Sequence, residues 1–190
     1  MGNPEAGYIY NLDRELHPRP DLGHDTEEVV LKVFQNAFGP EVSARPSTPE
    51  EDAGYQGTRV GKMIDAVVYL RDKPAMGVQI TSARDKDARQ KKIDEMLTKP
   101  FLRLPEMKPT DPSIPRVLIW VDSKEVASFK AENELDPQKH KRMFLQIIDG
   151  TINSLKVALL KTSNEKEIYR LNTLLQLFGE EKKKIEFGKK

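Results

Sequence analysis

Two short runs, Lys62-Met-Ile-Asp-Ala-Val-Val-Tyr-Leu70 and Met76-Gly-Val-Gln-Ile-Thr-Ser82, decide how this chain is read. Both have strand composition, and Arg71-Asp72-Lys73-Pro74 between them has turn composition, so they are expected to pair as a hairpin. Polar residues interrupt each apolar run: Asp65 in the first, Gln79 and Thr81 in the second. Strand residues alternate between faces, so Gln79 and Thr81 project together, and Asp65 can lie opposite them across the hairpin. A carboxylate, a carboxamide and a hydroxyl would then share one face. Burying such groups costs stability unless they find hydrogen-bond partners, so a functional site is the economical reading. The alternatives are side-chain bonds that pin a neighbouring loop, for Gln79 and Thr81, and a solvated edge position, for Asp65.

Composition bounds the classes of function. The 190 residues are enough for one domain with a real core, and 37% hydrophobic with 32% charged residues describes a soluble globular protein. No stretch reads as long and apolar enough to cross a bilayer, and Met1-Gly-Asn-Pro-Glu-Ala6 lacks the basic and apolar regions of a signal peptide. A cytoplasmic protein with no membrane partner is expected. The absence of cysteine excludes disulfides, thiolate nucleophiles and Cys-ligated zinc, and His17, His24 and His140 show no helical metal-ligand spacing. With 31 Lys plus Arg against 30 Asp plus Glu, nucleic-acid binding would need a local basic patch.

Along the chain, residues 1–24 read as an irregular arm and residues 25–122 as an α/β core. The core opens with a helix carrying Val30, Val33, Phe34, Ala37 and Phe38 on one stripe and ending at Gly39-Pro40. A short strand at 42–45, a loop at 46–57, the strand pair and a polar helix over 85–97 follow. Five prolines between Pro100 and Pro115 predict a long surface connection without regular structure. Arg116-Val-Leu-Ile-Trp-Val-Asp122 predicts a strand covered on both faces, with Trp120 buried. Residues 123–180 are expected to supply two helices, the first opening at Asp136-Pro137. The second carries Leu171, Leu174, Leu175 and Phe178, which complete the core or form a homodimer surface; residues 181–190 read as a fraying charged tail.

The order helix, three strands, helix, strand over residues 25–122 resembles the core of the PD-(D/E)xK nuclease superfamily, the restriction-endonuclease-like fold. The resemblance rests on Ile64-Asp65, at the place of the family's second-strand aspartate, and on Gln79-Ile80-Thr81, at the place of its third-strand Glu-x-Lys or Gln-x-Lys. Glu28, or its neighbour Glu27, stands where a first-helix glutamate often joins them, and Glu51-Asp-Ala-Gly54 with Gly57 looks like an acidic approach to the aspartate strand. The resemblance implies a restriction-endonuclease-like mixed sheet flanked by helices, with extra C-terminal helices, and metal-dependent hydrolysis of DNA or RNA. It implies Asp65, Gln79, Thr81 and Glu28 as catalytic residues and Mg²⁺ or Mn²⁺ held by Asp65, Gln79 and the Ile80 carbonyl. Thr81 departs from the family lysine, and Gln79 is neutral where an anion would bind metal more strongly. A replacement cation would come from Arg84, Lys86, Lys91 or Lys92, and the nucleic-acid contacts from these with Arg89; the bland reading of that helix is a solvated face with internal ion pairs. Glu28, three residues after Asp25, also suits a capping-box-like helix start. The alternatives are an inactive protein of this fold that binds nucleic acid or a protein, and a small α/β domain that dimerises through its C-terminal helices.

Overall fold

The computed structural model describes residues 22–52, 63–82 and 85–188; the N-terminal arm lies almost wholly outside them, as do Gly54, Gly57 and Arg84. The elements are α1 (Leu22–Asn36), β1 (Val42–Pro46), α2 (Pro49–Asp52), β2 (Ala66–Leu70), β3 (Lys73–Thr81), α3 (Lys86–Thr98), β4 (Phe101–Leu102), β5 (Ile114–Trp120), α4 (Ser123–Glu132), α5 (Lys141–Leu160) and α6 (Glu165–Phe187). They form an α/β structure with one five-stranded mixed sheet, ordered β1-β2-β3-β5-β4 and flanked by helices. β1, β2 and β3 form an antiparallel meander, and β5 runs parallel to β3 after the α3 crossover. The three apolar runs are therefore adjacent strands of one sheet.

The hairpin turn is tighter than its composition suggested. Arg71 and Asp72 take left-handed backbone angles, φ 50° and 62°, which matches the twist of the flanking strands, and Leu70 pairs directly with Lys73. Lys73 and Pro74 thus belong to β3.

One face of the sheet, with Ala66, Val68, Met76, Val78, Ile80, Val117, Ile119 and Val121, packs in the main core with residues from α1, α4, α5 and α6. Phe34, Phe38 and Phe178 meet edge-to-face there, with centroids 5.3–6.1 Å apart. The opposite face carries a small second cluster, Ile64, Val67, Leu104 and Ile114, and is otherwise left to α3.

Several expectations need correction. The proline-rich segment contains β4, which pairs with Ile114 and Pro115, and it buries Leu104. Pro100 and Pro105 leave the amides between them intact, and Arg103 closes the loop by donating to the carbonyls of Asp111 and Lys108, each at 2.6 Å. Three helices follow β5, not two. The missed one, α4, is capped by Asp122, whose Oδ1 accepts from the Lys124 amide, and it ends at Asn133 in the left-handed conformation. Asp136 caps only a turn, and α5 starts after His140. Leu171, Leu174 and Phe178 are buried in the core and Leu175 packs against it partly buried, so these residues complete the core. The expected tail continues as helix to Phe187, with Ile185 buried and its carbonyl accepting from Gln138 Nε2 at 3.0 Å. Helix α5 is long and apolar enough to cross a membrane by length and composition, contrary to the sequence reading; Phe144, Ile148, Leu155 and Ala158 on it are fully buried in the core.

Helix α5 also closes an edge. β4 pairs with β5 only at Ile114 and Pro115, so among the described residues the later part of β5 has no strand on that side. Gln146, Gly150 and Ser154, spaced one helical turn apart, lie against it. Ser154 Oγ accepts from the Leu118 amide at 3.0 Å, Gln146 Oε1 accepts from the Asp122 amide at 3.2 Å, and a Cβ on Gly150 would stand 3.0 Å from the Leu118 carbonyl oxygen.

Candidate functional site on the polar sheet face

The paired ladder between β2 and β3 starts at Ala66↔Val78, leaving Asp65 at the mouth of the strand. Its amide donates to Val78 O at 2.7 Å, and its Oδ2 accepts from the Ile80 amide at 2.6 Å. The carboxylate thus replaces the backbone acceptor that β2 would have supplied one residue earlier. Ser47 fixes the segment from β1's end: its amide donates to Asp65 O at 3.0 Å and its hydroxyl to Ile64 O at 2.9 Å. Bonded to Val78 and Ile80 on either side, Asp65 stands beside Gln79.

Gln79 and Thr81 are each only 7% exposed. The partner of Gln79 on the neighbouring strand is a residue the sequence reading overlooked. Arg116 of β5 is 4% exposed, and its Nη2 donates to Gln79 Oε1 at 3.3 Å and to Met63 O at 3.2 Å. Its Nη1 donates to Glu95 O at 3.4 Å and Lys99 O at 3.3 Å, at the C-terminal end of α3, where a cation is favoured by the helix dipole. Burial pushes the guanidinium below its ordinary pKa, and the Glu95 charge opposes that. One arginine therefore ties α3, β3 and the Asp65 strand together. The signal for it was present, since Arg116 interrupts Ile114-Pro-Arg-Val-Leu-Ile-Trp120 as Asp65 and Gln79 interrupt their runs. Reading 116–122 as a continuous apolar stretch obscured it.

Helix α3 lies over this face but buries only Met96. Asp85 caps it by accepting from the Asp87 amide at 3.1 Å. A cleft on either side remains. The first, about 530 Å³, is lined by Met63, Lys91, Asp94, Lys99 and Arg116 among others. The second, about 420 Å³, lies between α3 and α5 with Thr81, Leu118 and Trp120 among its lining residues. Trp120, expected to be buried, is only partly covered; the Arg89 guanidinium sits 4.3 Å from its ring centroid.

Asp65, Gln79 and Thr81 are thus brought onto one part of the sheet, and Glu28 is not brought to them. Its carboxylate pairs with Lys130 of α4 at 3.5 Å, beside Asp25, which contacts the same ammonium. Glu51 is likewise committed elsewhere: Arg45 grips it through two bonds of 2.6 and 2.8 Å and holds its carboxyl below the usual range. Arg45 also lies over Tyr69, 5.4 Å from the ring centroid, and the Tyr69 hydroxyl donates to Glu106 at 2.7 Å. Burial and then Glu106 push the Tyr69 hydroxyl up to about 12. Of the basic candidates, Lys86 and Lys91 are exposed, Lys92 is half-buried and Arg89 stacks on Trp120.

A divalent cation tests this donor set. Among the described residues no three His, Cys, Asp or Glu side chains converge as ligands. Mg²⁺ or Mn²⁺ between Asp65 and Gln79 would meet one carboxylate, with one oxygen already holding the Ile80 amide, and a carboxamide oxygen already facing a guanidinium. Such ions take oxygen ligands, and a fixed neighbouring cation opposes them. These residues do not fit the metal the sequence resemblance implied. Comparison with family models, curated proteins and solved structures finds no match.

Proposed function

We propose that this chain is a restriction-endonuclease-like domain that binds nucleic acid and does not carry out metal-dependent cleavage. The observation that carries the reading is the buried Gln79–Arg116 pair, which puts a neutral oxygen and a cation where metal-dependent hydrolysis calls for anionic ligands. The fold assignment is supported by the order of α1, the three-strand meander, the α3 crossover and parallel β5, with Asp65 beside Gln79. Asp65 here ends a ladder by accepting the Ile80 amide. The nucleic-acid assignment is supported by α3, whose Lys86 and Lys91 are solvent-exposed and whose Arg89 lies over the half-buried Trp120. Lysines of this kind neutralise phosphates without reading sequence, so the binding would weaken steeply with salt.

The test follows fluorescence anisotropy of labelled single-stranded DNA, duplex DNA and RNA with increasing salt, while gels score cleavage in Mg²⁺ and Mn²⁺. Binding is expected to fall as salt rises, with no strand cut, and Asp65→Asn should leave affinity unchanged. Metal-dependent cleavage by the natural protein that Asp65→Asn abolishes would replace this reading with the hydrolase. Absence of binding to all three nucleic acids would end both. Gln79→Glu with Thr81→Lys should not create activity, because Arg116 would capture the new carboxylate.

A further inference from the structure

We infer that the cleft between α3 and α5 takes one unpaired nucleobase of a bound single strand; this rests on the proposed nucleic-acid binding. Its volume, about 420 Å³, lies within the range of pockets that hold small organic ligands. Leu118, Ile93, Met96 and Val157 supply apolar surface, and Trp120 presents an indole to the same space. This is what the face of a planar heterocycle requires, and stacking on an aromatic is the sequence-tolerant way proteins hold unpaired bases.

The walls supply the edge contacts. On the α5 side, Gln146 spends its carbonyl oxygen on the Asp122 amide, which orients its NH₂ as the remaining donor group. Asn153 is exposed and its side chain makes no hydrogen bond among the described residues, so its amide is available to donate and accept along a base edge. On the α3 side, Arg89 lies over Trp120 and lines the same cleft, a guanidinium positioned for the adjoining phosphate. The groove has a structural origin as well. Small residues Gly150 and Ser154 bring α5 against the edge of β5, while α3 opposite buries only Met96.

Trp120 is the only tryptophan in the chain and reports directly on this cleft. A short dye-labelled oligothymidylate is titrated into the full-length protein, alone or annealed to its complement, with Trp emission and dye anisotropy read together. The single strand is expected to quench Trp120, and the duplex to bind without quenching. Asn153→Tyr fills the cleft from an exposed position and should weaken single-strand binding roughly ten-fold while leaving duplex binding unchanged. Trp120→Ala should weaken it by a similar or larger factor, and the Tyr variant keeps the test valid if this one misfolds. Single-strand binding seen by anisotropy, with Trp emission unchanged and Asn153→Tyr binding normally, overturns the base site and leaves the proposed function standing. Failure of every oligonucleotide to bind ends the proposed function, and this inference with it.

Discussion

On one face of the sheet, Val78, Ile80, Val117 and Ile119 share a core with residues from α1, α4, α5 and α6. On the other, Gln79, Thr81 and Arg116 lie beneath α3, which buries one residue. The same strands supply both faces, because alternation sends each neighbouring side chain the opposite way. The difference separates two tasks. The apolar face holds the chain folded, and the polar face fixes Asp65, Gln79 and Arg116 through a few directional bonds.

The contrast can be broken by measurement, beginning with the core. Phe178→Ala removes a ring that is 1% exposed and meets both Phe34 and Phe38, and should cost about 3–5 kcal/mol in chemical denaturation. A loss below about 1 kcal/mol would mean that the aromatic cluster is not what secures the helices. The polar face should respond less, and cooperatively. Arg116→Met strips α3, β3 and Met63 of a shared donor and should cost about 1.5–3 kcal/mol, with Gln79→Leu costing about 1 kcal/mol. The double variant should lose less than the sum, since each single change strands the other group; strict additivity would show that the pair is not coupled.

The smallest effect concerns acid. Arg45 holds the folded-state pKa of Glu51 below its unfolded value, so the stability from this pair is fully present above the ordinary carboxylate range. It is lost as pH falls through the lowered folded value. Glu51→Gln should therefore lower stability at neutral pH and flatten its decline toward acid, followed by thermal unfolding across that range. An unaltered acid profile would assign the decline to other carboxylates.

Much of this arrangement was legible because strands announce themselves locally. The apolar runs expected at 63–70, 76–80 and 117–121, of which the first forms a strand only from Ala66, the turn between the first two and the crossover helix follow from composition and spacing alone. Asp65, Gln79 and Thr81 stood out for the same reason, as polar residues in apolar company. What escaped depended on distant partners. Arg116 interrupts its run as Asp65 and Gln79 do theirs, but its role follows from parallel pairing, which sets it beside Gly77 and within reach of Gln79 and the end of α3. Glu28 matched a motif position, yet its neighbour is Lys130, about a hundred residues on, which no local pattern reveals. The C-terminal tail reads as charged because one side of α6 is solvated, while the burial of Ile185 is set by tertiary docking.

The seating of α5 on β5 has a consequence for how the chain behaves among its own copies. An open strand edge offers a row of amides and carbonyls that another chain can extend, the first step toward fibrous aggregates. Here Ser154 and Gln146 answer the amides of Leu118 and Asp122, and Gly150 is small enough for the helix to sit flush. A chain truncated before Lys141, or one still emerging from the ribosome, presents that edge uncovered. Helix α5 thus guards against edge-to-edge association, and the most exposed interval for this edge falls between completion of β5 and arrival of α5.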